Sequence, residues 1–192
     1  GVGSVGFHDG NRPSVDTVDP DIIFHIHIAG NNCTISIDSS GESLHKRGYR
    51  QSQGEAPLNE VLAAGMLMLA GWEGSSDFYD PMCGSGTLPI EAALIARNIP
   101  PGKFRKNFAF MTWKDFDRDL FDSIREEAEL KEFNFRIYAG DINGSSVLTA
   151  KTNARNARVF NLFTFVPGDF TGIELELEGA LLMMNPPYGE RI

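Results

Sequence analysis

Three short stretches of this sequence hold residues whose types and spacing suit chemistry. The apolar run ALLMMN (180–185) leads without a break into Asn185-Pro186-Pro187-Tyr188. Consecutive prolines fix the backbone and turn carbonyl oxygens in one direction. The Asn185 side chain adds another carbonyl and Tyr188 an aromatic face. Two acceptors beside a stacking plate suit an exocyclic NH2 on a planar base, held in line with an electrophilic methyl group. Asn185, Pro186, Pro187 and Tyr188 are therefore the candidate catalytic residues.

The second stretch is DPMCGSGTLPIEAA (80–93). It reads as a strand ending in Asp80, a turn built on Gly84 and Gly86, and a helix beginning at once. Glycines there let the backbone turn sharply and approach a ligand, and Asp80 can accept a hydrogen bond from an ammonium group. A dinucleotide-binding turn needs a third glycine where this sequence has Pro89, which disfavours a pyrophosphate cofactor. The third is Asp141 in YAGDIN, at the end of another predicted strand. A carboxylate in that place can accept from both ribose hydroxyls of a nucleoside. It could equally cap the helix that follows.

These residues need a scaffold that brings strand ends together. Hydrophobic residues make up 42% of the 192 and charged residues 22%, the composition of a globular chain. Apolar runs long enough to cross a bilayer are lacking, as is a signal peptide, so no membrane partner is expected. Two cysteines, Cys33 and Cys83, are too few for a disulfide framework and suit a cytoplasmic protein. Seventeen basic against 26 acidic residues leave a net charge of −9, the wrong sign for coating nucleic acid by phosphate neutralisation alone.

Residues 1–40 differ from the rest. NRPSVDTVDPD (11–21) is rich in turn formers, and IIFHIHIAG (22–30) and CTISIDS (33–39) alternate around Gly30-Asn31-Asn32 as a hairpin would. From Pro57 the period becomes helical. PLNEVLAAGMLMLAGW predicts a helix with Pro57 in its first turn, Gly71 at its end, and packing on nearly all sides. Strands are expected at 77–80, 135–141, 162–170 and 180–185, with helices over 87–98, 117–133 and 144–157. Alternation of this kind implies an α/β fold with a parallel sheet that binds ligands at the carboxyl ends of its strands. Four strands alone would make an incomplete layer, so the chain reads as part of a longer protein.

Other candidates are weaker. His25 and His27 share a strand face but lack a third ligand, so no metal is expected. Cys83 could be a nucleophile, although methylating an amine needs none. His45-Lys46-Arg47 with Tyr49-Arg50 mixes basic and aromatic groups suited to phosphate contact and stacking, or to a solvated turn. Lys151, Arg155 and Arg158 recur along one helix as a solvated face would.

DPMCGSG, AGDIN, GDF and NPPYGER, in that order, resemble the S-adenosylmethionine-dependent amino-methyltransferases with a Rossmann-like sheet. NRPSVD…PD, SIDSSGESLHKRGYR, APLNEVLAA and the stretch from Trp113 to Asp117 narrow this. They resemble the THUMP-containing ribosomal RNA guanine-N2-methyltransferases, a family often labelled adenine-N6-specific DNA methylases. The resemblance implies that residues 1–45 end a THUMP-type module and its connector. Residues 46–192 would be the N-terminal part of the methyltransferase domain, truncated after NPPY. It implies S-adenosylmethionine as cofactor and ribosomal RNA as partner. Asp80, Met82, Cys83, Gly84 and Gly86 would line the methionine half, and Asp141 and Ile142 would take the ribose and adenine edge. Asp169 and Phe170 would flank the adenine, and Asn185 to Tyr188 would hold the target base. Asn59 stands where the family usually has lysine. Two alternatives stay open: an adenine-N6 methylase acting on DNA, and a non-catalytic RNA-binding module that keeps the cofactor pocket.

Overall fold

A computed structural model describes residues 16, 18, 20, 22–50, 57–126 and 130–187, in two compact units. Most of the turn-rich stretch 11–21, together with Tyr188, lies outside the described residues. The smaller unit comprises residues 1–42 and 107–116. Its centre is an antiparallel hairpin of β1 (Phe24–Ala29) and β2 (Asn32–Ile37), in the register Phe24↔Ile37 to Ala29↔Asn32. The turn is two residues long because Asn32 joins the strand. Gly30 supplies the positive φ of +59° that such a tight connection demands. After the hairpin, Asp38 accepts hydrogen bonds from the Ser40 and Gly41 amides, and the Phe110 amide donates to the Ser39 carbonyl.

The larger unit, residues 43–106 and 117–192, is built on a four-stranded parallel sheet in the order β5-β4-β3-β6. Its strands are β3 (Phe78–Asp80), β4 (Ile137–Asp141), β5 (Phe163–Pro167) and β6 (Leu181–Leu182). The predicted strand 180–185 is thus shorter than expected, though the Met183 amide still donates to the Tyr79 carbonyl. Between β3 and β4 runs α2 (Thr87–Ala96), whose residues are buried on almost every side. The largely apolar TLPIEAALIA suits that position, and its one acid, Glu91, is buried against Arg47. Pro89 sits in its first turn, where a missing N–H costs nothing.

Helix α1 (Glu60–Leu69) departs from the sequence reading in two ways. It starts three residues after Pro57, because the Asn59 side chain accepts from the Val61 and Leu62 amides at 2.9 and 3.2 Å. It is also packed on one side only: Ala63 and Leu67 are buried, whereas Val61, Leu62, Met68 and Leu69 are exposed. Asn59, at the position where lysine is usual in the family that the sequence resembles, is a helix cap. Gly71, at φ +71°, closes the helix as expected.

Helix α3 (Arg118–Glu126) is shorter than the predicted span 117–133. By Leu130 the chain is no longer helical, and Phe133 is buried edge-on against Trp72, with ring centroids 6.4 Å apart. Helix α4 (Gly144–Asn156) follows β4 and turns Val147, Ala150, Asn153 and Ala154 inward. Its cap is Asn143, whose side chain accepts from the Ser145 amide; Asp141 does not cap it. Among the described residues no helix is long and apolar enough to cross a membrane.

Gly86 marks the tightest approach of the Gly84–Gly86 turn to α4. It holds φ +85°, and a Cβ added there would come within 2.9 Å of the Ala150 Cβ. Gly86→Ala is therefore expected to destabilise the fold by about 2–4 kcal/mol, from left-handed strain plus overpacking. Chemical denaturation of the variant measures this; an unchanged midpoint would remove the packing role.

Candidate active site

The carboxyl ends of β3, β4 and β6 meet around a cavity of about 430 Å3, within the range of small-molecule sites. Asp80, Met82, Cys83, Gly84 and Asn185 line it, so the glycine turn and the start of the NPPY motif share one space. Asp80 is 2% exposed and accepts from the Met82 amide at 3.0 Å. Burial pushes its carboxyl up to about 7; the Met82 amide opposes this and the neighbouring Asp141 charge adds to it.

Asp141 bridges the two strand ends. One carboxylate oxygen accepts from the Gly84 amide at 2.9 Å and the other from the Asn143 amide at 2.8 Å. The Cys83 amide donates to the Gly140 carbonyl at 2.7 Å, and the buried Asn153 side chain donates to the Ser85 carbonyl at 2.9 Å. The turn is thereby tied to β4 and α4 through three of its four residues from Cys83 to Gly86, and packed on Ala150 through the fourth. Gly86 accordingly lies outside the cavity wall and acts by close packing. The Cys83 thiol is buried, and burial with the Asp80 and Asp141 charges pushes it far above the usual thiol range. A thiolate nucleophile is not available there.

Other predicted residues are placed around this cavity and do not line it. Ile142 is exposed at the end of β4, and Phe170 is 38% exposed beyond β5. Asp169 accepts from the Thr171 amide and hydroxyl, which lower its carboxyl below the usual range. Pro186 and Pro187 are exposed directly after Asn185. The cavity's remaining walls were missed in the sequence: Pro57, Leu58, Ser85, Thr87, Leu88, Asn143, and from α4 Ser145, Ser146 and Thr149. The small polar run Asn143-Gly144-Ser145-Ser146, opening a helix just after Asp141, was the available signal.

Within the basic-aromatic group at 45–50, Lys46 is exposed, but Arg47, Tyr49 and Arg50 are turned inward and do not form a phosphate-facing surface. The Arg47 guanidinium donates to both oxygens of buried Glu91 at 3.3 and 3.1 Å, and the Tyr49 hydroxyl donates to the same carboxylate at 3.1 Å. Arg50 pairs with Glu60 at 3.0 Å, donating also to the Thr87 hydroxyl at 2.7 Å and the Leu58 carbonyl at 3.4 Å. These charges are consumed inside the unit. On α4, Arg155 lies 4.3 Å from the Phe160 ring centroid and Lys151 5.4 Å from that of Phe165. The strand histidines His25 and His27 find no metal set: among the described residues no three His, Cys, Asp or Glu side chains are grouped to hold an ion.

Comparison with known proteins bears on this geometry. Residues 2–38 match the THUMP domain model. Large-subunit ribosomal RNA methyltransferase K/L of Aliivibrio fischeri is 42% identical over 189 residues, 94% of this chain and 27% of that protein. A solved structure from Listeria monocytogenes, described as a predicted N6-adenine-specific DNA methylase, is 41% identical. It superposes with a TM-score of 0.81 over 88% of this chain and 45% of its own. SMU.472, classed as a methyltransferase and complexed with SAH, is 35% identical, with a TM-score of 0.79 over 89% of this chain and 45% of its own. The chain spans less than half the length of each. Residues 47–192 match the model UPF0020, RMKL-like methyltransferase domain, and with three quarters of its length so covered the chain belongs to that family.

Proposed function

We propose that this chain forms the cofactor half of an enzyme transferring a methyl group from S-adenosylmethionine to the exocyclic N2 amine of guanine in large-subunit ribosomal RNA, in the cytoplasm. The observation that carries it is Asn185 on the same cavity wall as Asp80 and the glycine turn. That arrangement sets an amine acceptor beside a pocket for a charged small molecule. The donor set fits the cofactor. Among the described residues, Asp80 is the only charged side chain lining the cavity, with Asp141 bonded to Gly84 behind it. An acidic, hydroxyl-rich wall attracts a cation bearing ammonium and sulfonium groups and repels a pyrophosphate.

When bound, S-adenosylmethionine supplies an electrophilic methyl group. Asp80 would hold its ammonium, Asp141 its ribose hydroxyls, and Ile142, Asp169 and Phe170 its adenine. The rest falls to the chain's own groups. The target amine's lone pair is delocalised into the base. By accepting its hydrogens, the Asn185 side chain and a proline carbonyl favour a pyramidal nitrogen with a localised lone pair. The proton leaves after positive charge has developed, so no strong general base is required.

RNA as the substrate is supported by the THUMP match and by the ribosomal RNA methyltransferase relatives. The Listeria structure's description favours an adenine-N6 methylase as the second reading. Incubating the intact protein with labelled cofactor and either RNA or DNA, then analysing nucleosides by mass spectrometry, separates them. N2-methylguanosine from RNA is expected; N6-methyladenosine would keep the site and overturn the substrate.

Asp141→Ala is expected to weaken SAH binding by about 1.5–3 kcal/mol, the range for hydrogen bonds to a charged group. Calorimetry showing unchanged affinity would overturn the ribose assignment.

A further inference from the structure

We propose that Arg50, which does not itself line the cavity, is a positioning residue for the cofactor: its guanidinium holds Thr87 and Leu58 in place on the cavity wall. This rests on reading the cavity as the cofactor site.

Two acid–arginine pairs, one buried and one largely buried, tie residues 47–50 to the helices, and they differ in what they touch. Arg47, Tyr49 and Glu91 form a set of which no member lines the cavity. Arg50 is bonded directly to the wall. Its single Nη2 nitrogen lies 2.7 Å from the Thr87 hydroxyl, 3.4 Å from the Leu58 carbonyl and 3.0 Å from the Glu60 carboxylate. Thr87 opens α2 and Leu58 precedes α1, so one nitrogen spans the approaches to both helices. Glu60 keeps the guanidinium in that position.

The contact with Thr87 also has a chemical consequence. A hydroxyl donates one hydrogen bond and accepts two. Because Thr87 accepts from Arg50, its own hydrogen is directed away from the guanidinium, and the positive charge behind it makes it a better donor. Thr87 is a wall residue, so that hydrogen is available to an acceptor in the cavity. The carboxylate of the cofactor's amino-acid half is such an acceptor. Arg50 thus brings positive polarisation to a wall whose own charged group, Asp80, is acidic. The two ends of a zwitterionic amino acid would be told apart by these two residues.

The test is calorimetric titration of SAH into the intact protein. Arg50→Gln and Thr87→Val are each expected to weaken binding about tenfold, and the double variant about tenfold again relative to wild type, not a hundredfold. Thr87→Ser keeps the hydroxyl and should bind as wild type. Tyr49→Phe, which removes one bond from the neighbouring buried set, should lower the melting temperature and leave SAH affinity unchanged. Should Arg50→Gln fail to fold because it strands Glu60, Arg50→Gln with Glu60→Gln removes both charges together and carries the same expectation. If these variants bind SAH as wild type does, or if the Arg50 and Thr87 effects multiply, the positioning role is overturned. Failure of the wild-type protein itself to bind SAH would overturn the cofactor reading, and is distinguishable for that reason.

Discussion

Replacing Asn185 by alanine is expected to lower turnover by about 10²–10³-fold in the intact protein, by analogy with losing one preorganised hydrogen-bonding group that serves a transition state. The effect should fall on the chemical step. An amine becomes more acidic as its nitrogen forms a new bond to carbon, so its acceptors bind the transition state more tightly than the ground state. Interactions of that kind appear in kcat, with KM little changed. SAH affinity should stay within about twofold of wild type, an order-of-magnitude bound for a change that leaves the buried Asp80 untouched. Tyr188→Ala should behave differently. Its expected role is stacking on the base, worth about 1–3 kcal/mol already in the bound complex, so RNA affinity falls together with turnover. Normal turnover by Asn185→Ala would end the amine-clamping mechanism. Loss of SAH binding in that variant would move Asn185 from the target base to the cofactor.

The second large effect belongs to Asp80 and comes with a defined pH dependence. Burial raises its carboxyl from 3.8 to about 7 in the folded protein. A group raised in this way favours the fold fully below its unfolded value, and that advantage disappears as pH climbs through the folded value. Above pH 7 the folded protein therefore carries a buried carboxylate at a cost on the order of 4 kcal/mol. Asp80→Asn is expected to stabilise the protein in alkaline buffer and to do little near pH 4. The same substitution should weaken SAH binding by about 2–5 kcal/mol, because the ammonium loses its anion. In the wild type, affinity should be about tenfold lower at pH 6 than at pH 8, since the proton must leave Asp80 first. Denaturation and calorimetry across pH 5–9 read both effects. A pH-independent affinity would show that the ammonium lies elsewhere.

How much of this was legible beforehand depended on whether the signal was local. Elements specified by neighbours in sequence could be read: the hairpin from its alternation around Gly30, α2 from TLPIEAALIA, and α4 from the change of period after Asp141. Residues at 45–50 could not. Arg47, Tyr49 and Arg50 look like surface chemistry until Glu91 and Glu60 come to meet them, and those partners are 10 to 44 positions away. Buried ion pairs leave no periodicity. The place of Asp141 in the sequence suits a ribose ligand or a helix cap alike; in the structure Asn143 is the cap, and Asp141 bridges the ends of two strands. The sequence of the turn suggests a ligand at Gly86 and gives no sign of the close approach there of the Ala150 methyl group. The end of α3 was missed because a tertiary demand, the burial of Phe133 on Trp72, overrode an unbroken helical pattern.

The bridge made by Asp141 also bears on how quickly a ligand can enter. Each of its oxygens takes one amide hydrogen, from Gly84 and from Asn143. A carboxylate oxygen offers two lone pairs, so a further acceptor direction remains on each. Ribose hydroxyls could then be received without breaking the bonds that keep the turn in shape. No refolding of the loop would precede or follow capture, and association would be set by collision and charge steering. Stopped-flow mixing should show a single phase whose rate rises linearly with ligand concentration, with no plateau from a slow isomerisation. The pocket would be ready-made, and selectivity among nucleosides would be expressed in how long each one stays.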